Sequence, residues 1–168
     1  MAASLGLLPP QATAQDQTTI YAEGPWRVFA GEGDPSLCMV VTVNLSPREQ
    51  SMAFSLYDTG LATLYMSDPN WQVTPRQVNV TLSVNGVDWP LVGQTQPGAV
   101  MMFIEDYEVG AGIAGGLAQG TVARLYNDEG RALLAFSLVG ARPAMAAFFE
   151  CVNTRLSVDS SQVPEDPF

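Results

Sequence analysis

FSLVGARPAMAAFFEC, Phe136 to Cys151, begins as a strand and finishes as a helix. Gly140 lets the chain bend, Pro143 suits a first helical turn because its missing N–H has no partner there to lose, and Ala144, Ala146 and Ala147 are the strongest helix formers. Met145, Phe148, Phe149 and Val152 then recur at i, i+3, i+4 and i+7, a single apolar stripe that must lie on another element. Cys151 follows three residues after Phe148, at the margin of that stripe, where its sulfur can reach the start of a neighbouring strand. A C-terminal helix is thus expected to pack on whatever the preceding residues build.

Those residues read as β. Pro25 to Phe29 reads as a first strand after a polar stretch, Asp16 to Gly24. Cys38 heads a second, in which Met39, Val41, Val43 and Leu45 share one face by the period of two. Met52, Phe54 and Leu56 alternate with Ala53, Ser55 and Tyr57, and Ala62, Leu64 and Met66 repeat the pattern before SDPNW. Val78, Val80, Leu82 and Val84 are the clearest case, and Asn85-Gly86 follows at once, the pair that best tolerates positive φ at both positions of a tight hairpin. Val87 to Leu91, with Trp89, is its partner. Ala99 to Ile104 is apolar on both faces, which implies a central strand or one lying under a helix. Tyr107 to Ala118 reads as a short helix weakened by glycines, which cost about 1 kcal/mol each at interior positions. Thr121 to Tyr126 and Ala132 to Leu138 form a second hairpin around Asn127 to Gly130. The fold class expected is mainly β (α+β): an antiparallel sandwich or curved sheet, a C-terminal helix packed on it, and a possible second short helix.

At 168 residues, 47% apolar, the chain suits one core. Ala12-Thr13-Ala14 fits the small-x-small cleavage rule after a short apolar run, so residues 1–14 read as the remnant of a signal peptide, although its basic region is missing and a flexible tail is the other reading. Residues 15–156 would be a single β-rich domain and 157–168 a loose tail. Export makes an oxidised pair chemically sensible, and Cys38 and Cys151, the two cysteines present, are expected to form a structural disulfide. No C-x-x-C arrangement supports a redox role.

The chemistry is bounded by what is missing. There is no histidine and no lysine, which removes imidazole triads and imidazole metal sites. A net charge of −10 with scattered arginines disfavours nucleic acid and fits a cationic protein or envelope component as partner, or simple colloidal solubility. Nothing approaches a transmembrane span. Glu105, Asp106 and Glu108 cluster beside Tyr107 after a strand, but neighbouring residues there point in different directions, so no acid pair for catalysis and no metal or cofactor site is expected. Gly110, Gly112 and Gly115 have dinucleotide-fingerprint spacing without the required βαβ setting. Trp71 and Trp89 are core or rim residues, or a recognition surface with Tyr107, Glu105, Asp106 and Glu108.

Taken in order, Trp26-Arg27-Val28, Cys38 opening the next strand, a late hairpin, and S-L-x-G-x-x-x-A-M-x-A over Ser137 to Ala147 resemble small exported proteins of the invasion-associated locus B type and uncharacterised alphaproteobacterial periplasmic proteins. The resemblance implies a periplasmic or surface-associated β-rich protein with no catalytic residue to carry over. Three functions compete: a non-enzymatic, macromolecule-binding envelope protein; a carrier holding a small apolar ligand between sheet and helices; and a hydrolase using carboxylates alone. An enclosed apolar cavity of roughly 300 Å³ or more would favour the carrier.

Overall fold

The computed structural model describes residues 17–31, 36–44 and 49–156; the expected leader remnant and C-terminal tail lie outside them. The chain order is β1 (Gln17–Glu23), β2 (Trp26–Gly31), β3 (Leu37–Asn44), β4 (Gln50–Tyr57), β5 (Ala62–Ser67), β6 (Gln77–Val84), β7 (Val87–Gln96), β8 (Ala99–Ile104), α1 (Tyr107–Gln119), β9 (Val122–Asn127), β10 (Ala132–Ser137) and α2 (Ala141–Arg155). All ten strands join one antiparallel sheet in the order 1-2-3-4-5-8-7-6-9-10. The curved-sheet expectation with a C-terminal helix packed on it holds, and the second helix is present.

The sheet does not close, but it curls far enough for its two halves to touch. The side chain of Asn44 in β3 donates to the Ala135 carbonyl of β10 at 3.2 Å, and the Trp26 indole N–H in β2 donates to the Val139 carbonyl at 2.9 Å. The concave face carries one continuous apolar layer: Val28, Val40, Phe54, Leu64 and Met102 from one side, Leu82, Leu125 and Phe136 from the other. Both helices lie on it. Phe148 of α2 meets Phe54 edge-on with ring centroids 5.7 Å apart, and Cys38 is bonded to Cys151, with Cα atoms 6.0 Å apart across a sequence separation of 113.

Three readings of the sequence need correction, and a fourth is completed. The polar stretch before Trp26 contains β1, an exposed edge strand that owes its form to pairing with β2 rather than to burial. In β3 the alternation holds and Met39, Val41 and Val43 share one face, which is the half-buried convex side, while Cys38, Val40 and Thr42 point into the core. Leu45 lies outside the described residues. β7, with Pro90 inside it, runs on past Leu91 to Gln96. Proline is tolerated because β8 pairs only with Gly93 to Gln96, so the side of β7 at Pro90 away from β6 has no ladder to break.

The last correction concerns α2, whose buried stripe is Ala141, Ala144, Met145, Phe148 and Cys151, whereas Phe149 is 37% exposed and Val152 half-buried. Cys151 therefore sits within the stripe, not at its margin. Ala141 and Ala144 are fully buried in the stripe, a fit that hydrophobicity alone does not signal. β8 is central, between β5 and β7, yet only Val100, Met102 and Ile104 face the core; Phe103 on the convex side is 55% exposed.

The reversal of order between β5 and β9 means that the chain crosses the β6–β7–β8 meander twice. Residues 68–76 carry it from β5 past β8 and β7 to β6 at one end of the strands. At the other end α1 returns it from β8 over β7 and β6 to β9. The second crossing explains two of the glycines of α1: a Cβ on Gly116 would meet Trp89 Cη2 at 2.9 Å, and one on Gly112 would meet Trp89 Nε1 at 3.3 Å. The helix is glycine-rich where an indole lies against it.

Candidate functional site

At the end covered by the helices little space remains. A pocket of about 140 Å³ lies between α1, α2, β4 and β5, lined chiefly by Phe54, Ala62, Tyr107, Ala114, Phe148 and Val152. Asp106 and Tyr107 are at its rim. The Asp106 carboxylate is engaged as the N-cap of α1, accepting from the backbone N–H groups of Glu108 at 2.9 Å and Val109 at 3.2 Å, so it satisfies donors that the first helical turn would leave free. Glu105 and Glu108 are exposed, and Tyr107 is 68% exposed. Among the described residues no group of three or more acids and cysteines is arranged to hold a metal ion.

The opposite end is open. A cleft of about 930 Å³ lies between the crossing loop, the first half of β6 and the β9–β10 turn. Val78, Val80, Val100 and Leu133 give it apolar walls, Trp71 stands at one side, and Arg76 and Arg131 bring two guanidinium groups to it. Neither guanidinium has a hydrogen-bond or ion-pair partner among the described residues. Asp128 and Glu129 at the hairpin tip complete the rim.

Each part of this site is held for a local reason. Asp68 is 1% exposed and organises the turn that presents Trp71. Its Oδ1 accepts from the backbone N–H of Asn70 at 2.9 Å and from the Asn70 amide at 3.1 Å, and its Oδ2 accepts from Gln50 Nε2 at 2.8 Å. The backbone continues the anchorage: Asp68 N–H donates to the Gly98 carbonyl, Trp71 N–H to the Asp68 carbonyl, and Gly98 N–H to the Trp71 carbonyl. Gly98, at φ +76°, has the left-handed conformation that this close pass requires. Further along, the buried hydroxyl of Thr95 accepts from Arg76 N–H at 3.0 Å and donates to the Thr74 carbonyl at 2.7 Å. Irregular backbone crossing a sheet end must find such partners, and of the five buried polar side chains described, Asp68 and Thr95 serve this loop.

The residues singled out in the sequence are therefore divided among different places. Trp71 lines the cleft; Trp89, at the far end of β7, is half-buried against α1. Asp106 and Tyr107 meet at the small pocket between the helices. Sequence reasoning missed Arg76, Arg131, Thr95 and Asp68. The Asp-Pro-Asn run was the available signal for a side chain folding back on its own turn; the arginines carried none until the strands were paired.

Comparison of the chain with family models, with curated proteins and with solved structures returns no match.

Proposed function

We propose that the chain is an exported, non-enzymatic protein, held by the Cys38–Cys151 disulfide, that binds another macromolecule through the cleft beside Trp71. The observation that carries this reading is the contrast in free space. The region where a carrier would keep an apolar ligand has room for about 140 Å³, below the roughly 300 Å³ at which ligand pockets begin, while the open cleft, with its half-buried indole and guanidinium groups that have no partner among the described residues, has about 930 Å³. Aromatic and arginine side chains at a concave surface are the residue types that anchor protein interfaces.

Disulfides persist in oxidising compartments, and no helix among the described residues is long and apolar enough to cross a membrane. Both facts are compatible with export to the periplasm or cell surface, the compartment that the likeness to invasion-associated locus B-type proteins also implies. The net charge of −10 favours a cationic protein or envelope component, drawn in by the long-range field. The test is affinity capture from periplasmic extract with the oxidised protein, alongside Trp71→Ala and Cys38→Ser/Cys151→Ser variants. Recovery of one cationic partner by the wild type, and its loss with Trp71→Ala, supports the reading. Recovery of no macromolecule, with a lipid or metabolite retained in native mass spectrometry, overturns it.

A further inference from the structure

The cleft has an unusual lining. Along a paired strand only alternate residues face one side, yet Gln77, Val78, Asn79 and Val80 all border this cleft. The reason is a mismatch of strand lengths. β6 pairs with β7 from Gln77 to Val84, but β9 reaches only Val80, opposite Asn127, before the chain turns away through Asp128 to Gly130. Gln77, Val78 and Asn79 thus have ladder partners in β7 and none on the β9 side. A length of backbone edge is left bare within the sheet, with the hairpin tip standing beyond it.

Concave surface flanks that edge twice. The 930 Å³ cleft lies along it, and a second depression of about 200 Å³, lined by Asn79, Thr81, Pro90, Leu91, Val92 and Asp128, adjoins it. The two share Asn79, Val80 and Asp128. An added strand presents its side chains alternately to the two faces of a sheet, so it would find a recess for each set, while its main chain would satisfy the bare N–H and C=O groups.

The two terminal edges of the sheet are guarded, and Pro90 removes a donor from the half of β7 that β8 does not reach. β1 has a register shift between Thr19 and Tyr21, and β10 has one between Ala132 and Leu134 as well as a carbonyl already taken by Asn44. Bulges and occupied groups are how sheet edges resist pairing. The first half of β6 has neither.

We propose that this notch accepts an extended peptide segment of the partner as an additional strand beside Gln77 to Asn79, with an acidic side chain of that segment set against Arg76 and Arg131. The inference rests on the binding function proposed above and names its chemistry. Local charge complementarity selects the acid: Asp128 and Glu129 stand at the hairpin tip, but the two guanidinium groups have no partner among the described residues, and arginine matches a carboxylate with two parallel hydrogen bonds. The negative field of the whole protein acts on the partner at long range, and this local contact sets the register of the bound segment.

The experiment uses the full oxidised chain, ¹⁵N-labelled, titrated with an end-blocked hexapeptide of alternating valine and glutamate. Two further peptides are compared: one alternating valine and lysine, and one keeping valine and glutamate but N-methylated at alternate backbone amides along either edge. Expected are amide shifts at Gln77 to Val80 and Asn127 to Arg131, a shift of the Trp71 indole N–H, and binding about tenfold weaker for both comparison peptides and for an Arg76→Ala/Arg131→Ala variant. N-methylated peptides binding as tightly as the parent, shifts mapping elsewhere, or no saturable binding would each overturn strand addition. Capture of the natural partner separates the two levels: a partner still captured by the wild type and lost with the double arginine variant, while the peptides fail, removes strand addition alone. Absence of any macromolecular partner removes the reading beneath it.

Discussion

The β6–β7–β8 meander is crossed at both ends, once by a helix and once by a loop. α1 satisfies most of its own backbone hydrogen bonds, so it can be pressed against apolar side chains, and its glycines let it lie against Trp89. Residues 68–76 satisfy few of theirs and rely on the side chains of Asp68 and Thr95. The helical crossing consequently fills its end of the sheet and the loop crossing leaves a cleft. Secondary structure at a connection here decides where a protein with one core keeps its free surface.

The largest expected effect tests the helical end. Replacing Cys38 and Cys151 together with alanine should lower unfolding stability by about 2–5 kcal/mol, the range for removing a native disulfide. Urea denaturation gives the value, and native-state hydrogen exchange should show α2 losing protection before β6 and β7. Equal loss throughout would mean that the two ends are not separable. At the loop end, Asp68→Ala removes acceptors for Asn70 and Gln50 and should cost about 1.5–3 kcal/mol, since these are hydrogen bonds to a buried charged group. Trp71 emission should shift in that variant while a Trp71→Phe background abolishes the change.

A finer comparison lies within α1. Gly115 has no atom within 4 Å of an added Cβ, whereas Gly116 abuts the Trp89 ring. Gly115→Ala should stabilise by up to about 1 kcal/mol through helix propensity, and Gly116→Ala should fall below it by about 1–3 kcal/mol because of overpacking. Thermal melts of the two variants read the difference directly; equal melting temperatures would show that the indole does not constrain the helix.

The smallest effect is a titration at the edge strand. Partial burial of Tyr21, the hydrogen bond from its hydroxyl to Glu23 at 3.0 Å and the charge of that carboxylate all raise its pKa above the usual tyrosine value. The neutral form is favoured on folding, so its contribution is complete below the unfolded value near 10 and is lost as pH rises through the higher folded value. Tyr21→Phe should remove that alkaline component from the pH dependence of stability, leaving the slope between neutrality and pH about 9 unchanged.

What could be read in the sequence follows the same division. β6 and its turn were legible because alternation and Asn-Gly are local, and Asn85 and Gly86 do adopt φ values of +51° and +83°. α2 was legible from periodicity and from Pro143, and α1 only as a short helix weakened by glycines. β1 was not, since an exposed edge strand has no buried face to impose a pattern. The inward side of β3 was undecided by hydrophobicity, because Met39, Val41 and Val43 are as apolar as Cys38, Val40 and Thr42; only the sulfur pairing selects the face. The cleft was the least accessible. It arises from β9 stopping short of β6's end, a property of the pairing of distant strands, and Arg76 and Arg131 become neighbours of one space only through it.

The bond between β3 and α2 also bears on how the protein matures. These 168 residues contain a single possible pairing of thiols, so no wrong connectivity can form within the chain and no isomerase is required to correct one. An oxidant is enough. A chain threaded outward from its amino end would show Cys38 to that oxidant long before Cys151, and would carry a waiting thiol, open to capture by another molecule, until nearly the whole domain had emerged.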